Sequence, residues 1–98
     1  MSEFITYRYN DCTVKALQML PATASDIVTA LGTEAGNGLL ASLSMTYNSV
    51  TMTYDCTFRY KIDSTDQKLT NGDYLVLHTS GQYSVISAAD FLSNYTPA

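Results

Sequence analysis

From Ser49 to Ile62 the chain alternates without a break. The even positions are Val50, Met52, Tyr54, Cys56, Phe58, Tyr60 and Ile62, and the odd ones are Ser49, Thr51, Thr53, Asp55, Thr57, Arg59 and Lys61. A helix repeats every 3.6 residues and cannot keep such a pattern on one face. A strand with one buried and one wet face requires it. Upstream, Leu39, Ala41, Leu43, Met45 and Tyr47 are apolar and alternate with mostly polar residues. The two runs predict a β-hairpin. A two-residue loop at Asn48-Ser49 pairs Tyr47 with Val50, Met45 with Met52, Leu43 with Tyr54 and Ala41 with Cys56. Every apolar residue then lies on one face, and a slip of one residue would destroy the match.

A second hairpin follows. Asn71-Gly72 is a turn dipeptide, and Thr79-Ser80-Gly81 suits a three-residue loop with glycine in the left-handed position. His78 then pairs with Gln82, Leu77 with Tyr83 and Leu75 with Val85. Leu75, Leu77, Tyr83 and Val85 make one apolar face, and Tyr74, Val76, His78, Ser84 and Ile86 the other. Ser87 caps a final helix with Asp90 three residues on. Ala88, Phe91, Leu92 and Tyr95 form its apolar stripe, with Pro97 past its end.

The first half contains Phe4 to Tyr9, a short β-like stretch broken at Asn10-Asp11, and Thr13 to Leu20, a candidate strand ending at Pro21. Thr23 with Asp26 approximates a capping box. Ala24, Ile27, Val28 and Leu31 fall on one helical stripe, and Gly32 supplies a stop. This predicts a helix of about ten residues, within the usual range, and then a loop from Thr33 to Gly38. Thirteen Thr and eight Tyr add to the β tendency. The expected structure is one α+β domain over 1–98. Its antiparallel sheet has about five or six strands, with two short helices packed on it, on one face.

Charge narrows the function. Nine acids and five bases give a net charge of −4. They form no basic patch, which argues against direct nucleic-acid binding. Nor are the acids dense: Asp55, Asp63, Asp66, Asp73 and Asp90 are scattered, as on a solvated surface. No apolar run approaches the ~20 residues of a membrane span. The first residues show no basic segment leading into an apolar stretch, so a cytoplasmic protein without membrane association is expected.

The chemistry-bearing residues are few. Cys12 and Cys56 lack C-x-x-C spacing and read as reduced thiols, or as a disulfide only if their strands are neighbours. His78 is the single histidine. A Cys–His pair would need a thiol of lowered pKa, and neither cysteine has a basic cluster nearby in sequence. One histidine and two distant cysteines do not supply a metal-ligand set. The glycines form no phosphate-binding loop. The sequence therefore predicts no catalytic residue, cofactor or metal.

A resemblance adds to this reading. Tyr7-Arg8 followed by Val14, Ala16 and Gln18 resembles the YR…VxAxQ opening of small phage and prophage proteins. Ile27 to Gly32 is similar to the IxxxLG of their short helix. Asn71-Gly72-Asp73-Tyr74 resembles their PGDY or PGDW motif. Gly81, Tyr83 and Val85 match their G-x-Y-x-V strand, and Asp90-Phe91 with Tyr95 their terminal helix. The order of elements extends over nearly the whole chain. Asn71 replaces the proline, Lys15 stands where an acid is common, and the hairpin from Leu39 to Ile62 is longer than in the pattern. The resemblance implies a phage or prophage origin and a small α+β fold, and carries over no catalytic residue.

Exposed tyrosine is enriched at protein interfaces because it offers large contact area at little entropic cost. Tyr7, Tyr9, Tyr74 and Tyr95, with Asp73 and His78, are the candidate interaction surface. The function expected is that of a non-enzymatic interaction protein of a phage or prophage. Its partner is a host or phage protein, and its concrete form is a steric, anti-CRISPR-like inhibitor of a host or defence protein. The alternative is a virion or assembly component, a homo-oligomer joined through sheet edges. A weaker alternative is a small-ligand binder around Tyr74 and His78.

Overall fold

The computed structural model describes residues 4–63 and 65–97. The reading of the extreme N-terminus as leader-free falls partly on residues 1–3, outside the described residues. Among the described residues, eight strands and two helices follow in the order β1 (Ile5–Tyr9), β2 (Cys12–Gln18), α1 (Ala24–Gly36), β3 (Leu40–Asn48), β4 (Thr53–Tyr60), β5 (Gln67–Leu69), β6 (Tyr74–Leu77), β7 (Tyr83–Ile86), α2 (Ala88–Asn94) and β8 (Thr96–Pro97). The α+β class is as expected. The strands divide into a five-stranded sheet, β7-β6-β2-β1-β8, and a three-stranded sheet, β3-β4-β5. Every pairing in both is antiparallel.

β2 and β6 explain why the five-stranded sheet is central. Leu17 and Leu75 point to one side and join α1 residues Ala24, Ile27 and Leu31, together with Cys56, Phe58 and Leu69 of the smaller sheet, in the main core. Val14, Ala16, Tyr74 and Val76 point to the other side and pack with Phe91 of α2. Strands apolar on both faces are covered on both faces. The two helices therefore lie on opposite faces of this sheet, not on one.

The first helix differs from its sequence reading at both ends. It runs thirteen residues, through Gly32 to Gly36. Gly32 is exposed, so no packing opposes a helical glycine there. The left-handed residue that stops the chain is Gly38, at φ 76°. Thr23 precedes the helix but its side chain caps no helix amide. Its hydroxyl donates to the Gln18 carbonyl and accepts from the Leu20 amide at 2.9 Å, tying the β2–α1 turn together. Of the predicted apolar stripe, Ala24, Ile27 and Leu31 are buried and Val28 is exposed.

The long hairpin forms with Cys56, Phe58 and Tyr60 buried as predicted. However, β4 runs only from Thr53 to Tyr60, Val50, Met52 and Ile62 are exposed beyond its ends instead of buried, and the register differs. Tyr47 faces Tyr54, Met45 faces Cys56 and Leu43 faces Phe58. Asn48 Oδ1 accepts from the amides of Val50 at 2.9 Å and Thr51 at 3.3 Å. That side-chain turn opens the loop to four residues, 49–52, which Met52 closes at φ 58°. Each partner moves four residues along β4. An even shift preserves which side chains face inward, so alternation alone could not exclude it. A bulge at Ala41 further offsets the start of β3. The second hairpin has the predicted register, Leu77 to Tyr83 and Leu75 to Val85, with Gly81 at φ 91°.

Candidate protein-interaction surface

Four of the six residues singled out from sequence meet around α2. Phe91 lies flat between Tyr74, with centroids 4.0 Å apart, and Tyr95, at 4.6 Å, while Tyr7 meets it edge-on at 4.7 Å. Tyr9 stacks on the far side of Tyr95 at 4.9 Å. Burial raises the phenol pKa of Tyr7, with Tyr74 adding to it, and that of Tyr95, with Tyr9 adding to it. Tyr74 keeps only 8% of its surface exposed. These rings hold a seven-residue helix on a five-stranded sheet. Tyr9, at the outer end of the stack, is the one of the four that is exposed, at 42%.

Asp73 and His78 stand apart from the stack. Asp73 accepts from the Thr70 hydroxyl at 2.6 Å, and its backbone carbonyl accepts from the Met19 amide at 2.8 Å. Gly72, at φ 93°, donates to the Met19 carbonyl at 2.8 Å, and Gln18 reaches its carbonyl at 3.0 Å. The Asn-Gly-Asp corner is thus bound to the end of β2. His78 Nε2 lies 2.6 Å from the Ser84 hydroxyl across the β6–β7 ladder. Cys12 is exposed on β2, whereas Cys56 is buried on β4 in the other sheet, and both thiols are free. Burial pushes the Cys56 thiol up to about 11, so it is protonated near neutrality and a poor nucleophile. No group of three or more potential metal ligands occurs among the described residues.

The most exposed large apolar side chain among the described residues, Val50, lies elsewhere, on the β3–β4 hairpin. Tyr47 is 49% exposed, Val50 91% and Met52 66%. The surrounding run from Ala35 to Tyr54, twenty residues, contains no charged side chain. That run is the sequence signal for this surface, whereas the period-two alternation assigns Tyr47, Val50 and Met52 to the buried face. A cleft of about 240 Å³ between α1 and the hairpin adjoins it, with Val28, Met45 and Tyr54 in its wall.

Edges matter because an unpaired strand presents backbone donors and acceptors to any other strand. The two sheets have four edge strands, of which β7 is capped by side chains, β8 and β5 are very short, and β3 is long. On β7, the Tyr83 amide donates to the Tyr60 phenol at 2.9 Å and the Val85 amide to Gln67 Oε1 at 3.4 Å. β8 is two residues long and ends in Pro97, which has no N–H to offer. β5 spans three residues. β3 spans nine, and among the described residues no hydrogen bond reaches its outer side.

No family model, curated protein or solved structure matches the chain. No helix among the described residues is long and apolar enough to cross a membrane.

Proposed function

We propose that this chain is a phage- or prophage-encoded protein that acts by binding another protein. The exposed, charge-free tip of the β3–β4 hairpin carries this reading. Tyr47, Val50 and Met52 hold large apolar area in water where they stabilise little of the fold. Met52 does so in a left-handed conformation that ordinarily favours glycine. Apolar groups retained in such a place fit a hairpin that inserts into a groove on its partner. The partner is a host or phage protein, and steric inhibition of a host or defence enzyme is the concrete form. Origin and partner class rest on the sequence resemblance.

The test is affinity capture from bacterial lysate with the wild-type chain and with Val50→Asp/Met52→Asp. Both sites are exposed, so the variant is expected to keep its circular dichroism spectrum. A stoichiometric partner retained by the wild type and lost with the variant supports the reading. Recovery of no stoichiometric partner, or equal recovery by both, overturns it.

A second reading, an assembly component joined through sheet edges, is favoured by the open side of β3. The two readings use neighbouring parts of one hairpin and are separable by the tip variant.

A further inference from the structure

We propose that the cleft bordered by Tyr7, Gln18 and Tyr74 binds a small neutral molecule carrying a cyclic amide, such as a lactam or a pyrimidinone ring. The proposal goes beyond the protein-binding reading, since no residue of the β3–β4 hairpin borders this cleft.

The cleft has a volume of about 300 Å³, at the lower end of ligand cavities. Strand pairing builds it. Gln18 of β2 and Tyr74 of β6 are cross-strand partners, and Tyr7 of β1 packs with Ala16 and Tyr74 on the same side of the sheet. The rings of Tyr7 and Tyr74 are used against Phe91. Their hydroxyls are not used: among the described residues neither has a hydrogen-bond partner. Tyr74 is nine-tenths buried, yet no unpartnered side-chain oxygen among the described residues is sealed from solvent. Its hydroxyl therefore opens outward, from a residue that borders the cleft. Burial and the neighbouring Tyr74 raise the Tyr7 phenol, so it keeps its proton and can donate it.

Gln18 supplies the opposite polarity. Its Nε2 donates to the Gly72 carbonyl at 3.0 Å, which fixes the amide and leaves Oε1 free to accept. The Thr23 hydroxyl is already engaged in the β2–α1 turn and adds only wall. The rest of the lining is apolar, Ile5, Ala16, Leu17 and Leu20, and no charged side chain borders the cleft. A charged ligand would be desolvated there without compensation. A cyclic amide presents a carbonyl to the phenols and an adjacent N–H to Gln18, on a flat ring that suits the apolar walls.

Uracil is the probe, titrated into the purified chain and followed by backbone amide resonances. It is expected to move those of Ile5, Ala16 and Thr23, to leave Thr51 and Thr53 in the hairpin in place, and to raise the thermal midpoint with concentration. Tyr7→Phe/Tyr74→Phe is expected to weaken binding about tenfold, by loss of two hydrogen bonds. Neither hydroxyl has a partner to lose, so the variant is expected to keep the wild-type urea midpoint. Toluene, a ring without the amide, and orotate, the same ring with a carboxylate, are each expected to bind wild type about tenfold more weakly than uracil. Those two arms stand even if the variant fails to fold. No resonance change up to the solubility limit of uracil overturns the proposal. So does binding of toluene or orotate as tight as that of uracil, or unchanged uracil binding by the folded variant. Each of these outcomes leaves capture of a host protein standing, because the hairpin tip variant tests that separately.

Discussion

One hydroxyl, that of Tyr60, joins three elements. It donates to Glu34 Oε2 on α1 at 2.8 Å and accepts from the Tyr83 amide on β7 at 2.9 Å. Tyr60→Phe keeps the ring and strands both partners. The expected cost is about 1–3 kcal/mol, the penalty for a polar group left unsatisfied on burial, read as a lower urea midpoint with an unchanged slope. Burial, opposed by the Tyr83 amide and assisted by the Glu34 carboxylate, pushes the Tyr60 phenol up to about 12 from the usual 10.0. Burial pushes Cys56 up to about 11 from 9.0. Both groups resist losing their proton in the folded chain, so the unfolded state binds fewer protons at alkaline pH. Their contribution is complete below pH 9. It is lost between pH 9 and 11 for Cys56 and between 10 and 12 for Tyr60. Denaturation midpoints are expected to fall across this range, and Tyr60→Phe is expected to flatten its upper part. A midpoint that rises there contradicts the assignment. None of this linkage was visible in sequence, because alternation places Tyr60 on the buried face but does not name the groups across from it.

At the scale of elements, α2 depends on a single anchor. Phe91 is its only fully buried side chain, and Leu92, which the sequence pattern put on the same stripe, is 68% exposed. Phe91→Ala is expected to cost about 3–5 kcal/mol, as for large aromatic truncations in a core. It should also release Tyr74 and Tyr95 from the stack, a change that near-ultraviolet circular dichroism reads directly. The Ser87 cap and the Asp90 position in α2 were legible because capping is local: Ser87 Oγ accepts from the Asp90 amide at 3.4 Å. The second hairpin was legible for a related reason, since Gly81 fixes its loop length. The first hairpin kept its inward side chains at Cys56, Phe58 and Tyr60 but neither its register nor its buried tip, because Asn48 turns the chain through its side chain and no glycine marks the loop. β5 and β8, at three and two residues, are too short to show a period of two. Pro97 reads as a helix follower until Tyr7 and Arg8 supply a strand beside it. Tyr7, Tyr74 and Tyr95 were marked as surface candidates because tyrosine type does not distinguish a docking face from a stack. Phe91 makes that distinction, and it comes from the far end of the chain.

Taken whole, the molecule is one sheet covered differently on its two sides, with a second sheet that closes one of its edges and leaves one of its own open. Tyr60 and Gln67 cover β7, whereas among the described residues no hydrogen bond reaches the outer side of β3. Cys56 bears on both. It sits in the core shared by the two sheets and faces Met45 across the β3–β4 ladder. Cys12 is exposed and is expected to react at once with a thiol reagent, while Cys56 waits for the core to open. The chain thus contains its own clock. The delay before the second thiol is labelled measures how often the sheets part. Any strand settling on β3 should lengthen that delay, so occupancy of the edge can be timed on the unmodified protein.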